Sequence, residues 1–160
     1  MKQQPDLQKI QEDMQPGSLS ATGFLGHDER NLADIMRVDQ AAVDALGLTH
    51  EAIANAMRAL TDAAMAGLGR PVDFAGNYIV VVEEFMGKIA CPFRDNHKAA
   101  KRTITATNRK TGQSLSWTDL SVHMIGRHGF YEGQGSPYRH DPAALADFLA
   151  LTGQAGNSQT

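Results

Sequence analysis

The sequence predicts a single α+β domain: N-terminal helices, then a mostly antiparallel β-meander of about four or five short strands, then two short C-terminal helices. Three observations predict this order. Apolar residues recur with helical spacing in the segments before Pro71. β-branched and alternating segments follow, between residues 72 and 117. Two stretches with helix caps and apolar stripes come last.

The chain of 160 residues has the length of one domain, which we expect to span residues 23–151. Residues 1–22 are polar and contain two prolines, and only Leu7, Ile10 and Met14 form a weak helical stripe. We therefore expect residues 1–22 to be a flexible N-terminal tail and residues 152–160 a flexible C-terminal tail.

Three helices are predicted in the first half of the domain. Asp28 is the predicted cap of a helix that runs to about residue 39, and Asp39 the predicted cap of a second helix that stops at Gly47. The clearest helix begins after the cap Thr49 and ends at Gly67 or Gly69. Its apolar stripe of Ile53, Met57, Leu60 and Ala64 indicates one buried face.

Residues 72–85 are predicted to form two strands that are joined by a turn at Gly76-Asn77. A turn or bulge at Gly87-Lys88 precedes another short strand that ends at Pro92. Residues 101–117 read as a hairpin in which two cross-strand pairs share one face, Ala106 with Leu115 and Ile104 with Trp117.

Two helices should close the domain. One runs from about residue 118 to residue 128 and stops at Gly129. The other has Asp141 as its cap and Pro142 as its first residue, with a buried stripe of Leu145, Phe148 and Leu149.

The composition excludes several classes of protein. No apolar run approaches the ~20 residues of a membrane span, and the N-terminus has no apolar segment typical of a secretory signal. The single cysteine, Cys91, precludes an intrachain disulfide. These features indicate a soluble protein of a reducing compartment, and we expect it to be cytoplasmic.

The charge is unevenly distributed. Residues 1–90 carry a net charge of −6 and residues 91–160 carry +3, with most of the basic residues between 94 and 110. Surfaces that bind nucleic acid usually belong to domains with a pI above about 9, whereas the pI here is about 6.0. Nucleic acid is therefore not the expected partner, and lysines on exposed strands explain the basic segment.

Four candidate metal ligands lie in the C-terminal half, Cys91, His97, His123 and His128. Zinc takes cysteine and histidine in tetrahedral sets, and the spacings C-x5-H and H-x4-H loosely resemble a finger. Residues five apart on a helix lie about 140° apart, so His123 and His128 should converge only if Gly126 breaks the helix.

Other interpretations of the same residues stay open. His128 falls within the apolar arc of its helix, so it is also a candidate core imidazole, and we expect its replacement by alanine to cost about 1–3 kcal/mol. His123 lies at the edge of that arc, and its loss should cost no more than about 0.5 kcal/mol. Cys91 is either a small buried residue or a nucleophile.

The loop of residues 130–139 combines glycines with Phe130, Tyr131 and Tyr138. We interpret it as an ordered cap in which the aromatic side chains cover the sheet. Three arginines, Arg94, Arg127 and Arg139, are candidates to converge near it and hold a carboxylate or phosphate group.

The segments CPF (91–93), WTDLSVHMIGRHGFYEGQGSPYR (117–139) and GHDERNLADI (26–35) resemble a group of small uncharacterised bacterial cytosolic proteins with an HMIxxHGFYEGxGSPYR-like ending. The resemblance covers roughly residues 23 to 151. It implies a bacterial, soluble, single-domain protein and no activity, cofactor or partner.

Two functions remain open from the sequence. The first is a small cytosolic binding or accessory domain whose site lies where the 118–128 helix and the 130–139 loop meet the sheet, with a protein or a small anion as partner. The second is a zinc-type metal-binding protein, or a small enzyme that uses Cys91 with His97, His123 or His128. The sequence decides neither the presence of catalytic activity nor the oligomeric state.

Overall fold

The structure, a computed structural model, describes residues 5–17 and 23–151. Within these residues the chain forms an α+β domain with one four-stranded antiparallel sheet, as expected, and five helices whose positions differ in part from the prediction. The elements in chain order are α1 (Pro5–Asp13), α2 (Leu32–Ala45), α3 (His50–Ala66), β1 (Val72–Phe74), β2 (Tyr78–Ala90), β3 (Lys98–Asn108), β4 (Ser114–Thr118), α4 (Asp119–His128) and α5 (Pro142–Phe148).

The sheet is a simple antiparallel meander in the order β1-β2-β3-β4. The predicted hairpin register is confirmed, because Ile104 faces Trp117 and Ala106 faces Leu115 across β3 and β4. β2 is longer than expected. It continues through Gly87 to Ala90, and its register with β3 shifts between Glu84 and Lys88 where the sequence predicted a turn or bulge.

The helix predictions for residues 28–47 were wrong in one respect, since a single helix, α2, replaces the two expected. Its N-cap is Asn31 rather than Asp28, which instead pairs with Arg30. Asp39 is not a cap but a buried residue inside α2, where Arg139 neutralises it. Neither Gly nor Pro interrupts the helix before Gly47, so a polar residue alone was a poor breaker.

The remaining caps follow the sequence. Thr49 and Asp141 accept hydrogen bonds from the first turns of α3 and α5. Thr118 and Ser121 form a reciprocal capping box at the start of α4. Gly129 ends α4 with φ +64, and a Cβ at this glycine would lie 2.6 Å from the His50 ring. Glycine is therefore required there both for its backbone angle and for space.

Two clusters of buried residues meet at α4. Val122 and Ile125 of α4 belong to the larger cluster, which contains Trp117 and the inner residues of α3, α5 and the sheet. Leu120 and Met124 belong to the smaller cluster, which adds Cys91, Phe130 and residues of α1 and α2. Because α4 is apolar on both sides, it is held tightly, and it is the rigid support for the candidate site.

The N-terminal segment differs from the expected tail. Residues 5–13 form α1, Met14 has no exposed surface, and Leu7 and Ile10 pack against the smaller cluster. A short apolar stripe suffices here because a complementary apolar surface already exists. The tail predictions for residues 1–4, 18–22 and 152–160 lie outside the described residues.

Across the described residues, no helix has both the length and the apolar character needed to cross a membrane.

Candidate metal centre

A tight loop, residues 91–97, connects β2 to β3. The Cys91 N–H donates to the carbonyl of His97 (2.9 Å), and the Arg94 N–H donates to the carbonyl of Cys91 (3.3 Å). Arg94 and Asn96 both have positive φ, +60 and +66. These turns on either side of Asp95 direct its side chain toward α4 instead of toward solvent.

Asp95 is the centre of the site. One oxygen, Oδ2, accepts hydrogen bonds from Nε2 of His123 and from Nε2 of His128, each at 2.7 Å. The other, Oδ1, accepts the backbone N–H of His97 at 2.9 Å. Burial opposes ionisation of Asp95, but the hydrogen bonds from His128, the His97 N–H and His123 outweigh it and hold its pKa well below the usual range.

Cys91 lies beside this carboxylate and is only 5% exposed. Burial raises the pKa of the Cys91 thiol to about 12, and the Asp95 charge contributes to the shift. The protein alone therefore keeps a neutral thiol, which is inert as a nucleophile. A bound metal cation reverses this, because a coordinating thiol loses its proton.

Four potential ligand atoms converge here, one each from Cys91, Asp95, His123 and His128, and all lie within 4.8 Å of one another. A tetrahedral zinc site with bonds of 2.0–2.3 Å needs ligand atoms about 3.3–3.8 Å apart. The two histidine nitrogens lie closer than that to Asp95, at 2.7 Å, so a metal would push them slightly outward as it replaces their shared hydrogen bonds.

The histidines converge without a break in their helix. α4 is continuous from Asp119 to His128, so the geometric argument that required a break at Gly126 was wrong. Helical phase fixes the directions of Cα–Cβ bonds, whereas the ring nitrogens lie several bonds farther out and both rings turn toward Asp95. Gly126 has another role, since a Cβ there would lie 2.9 Å from that of Ala54 and would push α3 away from α4.

Aromatic contacts fix both imidazole rings. The ring of Phe93 stacks on His128, with centroids 4.1 Å apart and planes 10° apart, and meets Phe130 edge-on. The ring of His97 stacks on His123 at 3.7 Å. His97 is therefore a neighbour of the ligand cluster and not one of its members, which separates it from the other three residues that the sequence singled out.

The three candidate anion-binding arginines are in different places. Arg94 pairs with Asp13 of the N-terminal segment, and Arg139 forms two hydrogen bonds to buried Asp39. Arg127 borders a cleft beside His123. Two of the three guanidinium groups are thus occupied by carboxylates, so the structure does not bring the three together around one ligand.

The junction of α4, the sheet and the 130–139 loop contains a cleft of about 370 Å³. Its lining includes Leu120, Phe24 and Glu132, whose carboxylate accepts a hydrogen bond from the hydroxyl of Ser136. Glu132 is only 4% exposed, and burial raises its pKa to about 7. Two aromatic residues of the loop divide between the clusters: Tyr131 belongs to the larger one and Phe130 to the smaller one, where it meets Phe93 edge-on.

Sequence reasoning missed Asp95. The candidate ligands predicted from the sequence were only cysteine and histidine, although zinc also accepts carboxylate oxygen. A usable signal was present, since Asp95 lies between Cys91 and His97 in a segment with Pro92 and Asn96, which favour turns.

No protein-family model matches the chain, and no curated protein and no solved structure matches it.

Proposed function

We propose that the protein binds a divalent transition metal of the zinc type through Cys91, Asp95, His123 and His128. The observation that carries this proposal is the convergence of four ligand atoms of suitable chemistry from a seven-residue loop and one helix. None of them is wholly on the surface, since the side chains of Asp95, His123 and His128 are each 18% exposed.

The donor set selects the class of metal. One thiolate sulfur and two imidazole nitrogens suit zinc and its first-row neighbours, whereas magnesium and calcium take oxygen ligands almost entirely. A zinc ion with one thiolate, one carboxylate and two neutral imidazoles is also formally neutral. The site therefore adds little uncompensated charge to its partly buried surroundings.

Metal binding would join two elements that are distant in sequence. Cys91 and Asp95 belong to the β2–β3 loop, and His123 and His128 to α4. Because the unfolded chain lacks this preformed arrangement, the free energy of binding stabilises the fold. Free zinc at 100 times its dissociation constant adds about 2.7 kcal/mol to the free energy of unfolding.

Cobalt titration of the reduced, metal-free protein tests the proposal. One equivalent of Co²⁺ should give intense visible d–d bands typical of tetrahedral coordination and a thiolate-to-cobalt charge-transfer band, and Zn²⁺ should abolish both. Cys91→Ser should remove the charge-transfer band, and His123→Ala and His128→Ala should prevent stoichiometric binding. His97→Ala is the matched control, because His97 contacts the cluster without joining it.

Weak binding that is the same in all four variants would contradict the proposal. So would a full cobalt spectrum in Cys91→Ser, because the sulfur ligand would then come from elsewhere.

We also infer a second candidate function, the binding of a small, largely apolar molecule in the 370 Å³ cleft at the junction of α4 and the 130–139 loop. The observation that favours it is buried Glu132 in the lining of that cleft, which is otherwise mainly apolar. Screening of small apolar fragments by NMR tests this inference. Fragments that bind should shift the amide signals of Leu120 and Tyr138. Leu120→Trp should fill the cleft and abolish the binding of these fragments. Hits that persist in Leu120→Trp would contradict it.

A further inference from the structure

Two clefts border the candidate metal centre and share two residues, His123 and Arg58. The first has a volume of about 380 Å³ and is also lined by His97 and Lys98. The second, of about 320 Å³, is also lined by Arg127. A ligand in either cleft would contact the ring of His123 and hence lie next to the metal.

The cations of these clefts differ from most cations of the protein. The sequence has nine arginines, and six of them form ion pairs with aspartates. Among the described residues, no ion pair is recorded for Arg58, Arg70 or Arg127, and two of these three line the clefts at His123. Lys98 adds a third positive charge, and it too forms no ion pair within the described part of the chain.

The acidic groups of the clefts leave a positive balance. Asp119 pairs with Arg102 at one wall, so these two charges offset each other. Asp62 lines the first cleft and Glu51 the second. Against these two carboxylates stand Arg58, Lys98 and Arg127.

Arg58 is oriented as well as charged. One of its terminal nitrogens donates to Oδ1 of Asn55 at 2.7 Å, one turn earlier on α3. This contact uses one of the five N–H donors of the guanidinium group and leaves the other four for a ligand at the boundary between the clefts, both of which Arg58 lines. The close approach of α3 to α4 at Gly126 places the Arg127 helix beside it. Planar guanidinium groups match the geometry of carboxylate and phosphate oxygens.

We propose that the two clefts form one binding site for the anionic group of a small ligand, a phosphate or a carboxylate, held beside the metal by Arg58, Lys98 and Arg127. The position of the site beside a metal rests on the proposed function, whereas the grouping of the three cations around the clefts does not depend on a metal.

Metal should strengthen anion binding modestly. A zinc ion adds two positive charges to the cluster, and the loss of the Cys91 thiol proton on coordination removes one, so the zinc-loaded cluster is more positive than the metal-free cluster. Zinc-loaded protein should therefore bind phosphate a few-fold more tightly than metal-free protein, and phosphate should tighten zinc binding by the same factor.

NMR titration tests the proposal, using inorganic phosphate in one arm and acetate in the other. The readouts are the backbone amides of α3 and α4 and the Nε–Hε signals of the arginines, for zinc-loaded and metal-free protein. We expect at least one of the two anions to saturate a site at Arg58 and Arg127. The anion with the lower dissociation constant identifies the ligand group as a phosphate or a carboxylate. Arg58→Gln and Arg127→Gln should each weaken binding about tenfold. Lys110→Gln is the control, because Lys110 is an exposed residue of the β3–β4 turn.

The two proposals fail separately. Zinc binding without saturable anion binding, or anion binding that Arg58→Gln and Lys110→Gln weaken equally, would overturn the anion site and leave the metal site intact. Saturable anion binding at Arg58 and Arg127 in a protein that takes up no zinc would support the anion site and overturn the metal site.

Discussion

Two carboxylates, buried Asp39 and partly buried Asp95, meet opposite kinds of partner. Asp39 of α2 has both oxygens bound by the guanidinium group of Arg139, at 2.6 and 3.1 Å. Among the described residues, Asp95 has no arginine or lysine partner. Two imidazoles bind a single oxygen of its carboxylate, and a thiol lies nearby. The first arrangement is a complete ion pair. The second combines a carboxylate, which is already an electron-pair donor, with imidazoles and a thiol that donate electron pairs once the proton on the donor atom leaves, and such a set matches a metal cation.

The comparison separates stability from function. Arg139 also donates to the carbonyl of Glu132 at 3.0 Å, so the Asp39 pair fastens the 130–139 loop to α2. Nothing in that arrangement requires a ligand. The Asp95 arrangement fastens the β2–β3 loop to α4 through two hydrogen bonds to imidazoles and through the stacking of Phe93 and His97 on the same rings. A metal would make this junction stronger.

The largest expected effect is at the ion pair. Arg139→Ala leaves the Asp39 carboxylate uncompensated, with its side chain 3% exposed. It should lower the free energy of unfolding by about 3–5 kcal/mol. Urea denaturation measures this, and the loss should be equal with and without zinc. The control is Arg37→Ala, which removes an exposed pair with Asp34 and should cost no more than about 1 kcal/mol. If the loss of unfolding free energy in Arg139→Ala depended on zinc, the Asp39 ion pair would not be independent of the metal centre, and this prediction would be contradicted.

A third carboxyl group, Glu132, forms no ion pair among the described residues, and its burial should make the stability of the protein depend on pH. Burial raises its pKa to about 7, so the folded protein holds this proton more tightly than the unfolded chain does. Its contribution to stability is complete below the unfolded pKa, near 4.5, and is lost as the pH rises through 7.

The size of this effect is about 3 kcal/mol, and Glu132→Gln should remove it. The measurement is the difference between the wild-type and Glu132→Gln stabilities across pH 4.5 to 7.5, which cancels the contributions of other groups. Glu84→Gln, at an exposed position, is the matched control. Parallel curves for wild type and Glu132→Gln would show that Glu132 ionises normally.

The smallest effects sharpen the Asp95 side of the comparison. His123 and His128 make the same bond to Oδ2 of Asp95, with side chains equally exposed. Their replacement by alanine should therefore cost similar amounts without metal, about 1–2 kcal/mol each, in contrast to the unequal costs that the sequence predicted. Each variant should also abolish stabilisation by zinc. Thermal unfolding with zinc and with a chelator checks both points, and a zinc-dependent rise in the melting temperature of either variant would contradict them.

The sequence predicted best where local patterns decide the structure. The alternation around Ile104 and Trp117 determined the hairpin register, and Thr118 and Gly129 marked the ends of α4. These features depend on neighbours a few residues apart along the chain or across a short turn.

It predicted poorly where the deciding partner is distant. Asp39 looked like a cap because its partner, Arg139, lies 100 residues away. Met14 was assigned to a flexible tail because the surface that buries it is built by later elements. Three of the four clustered ligand residues were predicted from their chemistry. Asp95 is recognisable as a candidate ligand only from the loop conformation that brings it to the histidines.

The most direct test of the metal centre is X-ray absorption at the zinc edge, on reduced protein loaded with one equivalent of Zn²⁺ and then desalted. We expect the protein to retain zinc, with one sulfur neighbour at about 2.3 Å and three nitrogen or oxygen neighbours at about 2.0–2.1 Å. The Cys91→Ser protein should lose the sulfur neighbour. Loss of zinc on desalting, or a zinc shell without sulfur in the wild-type protein, would contradict the account.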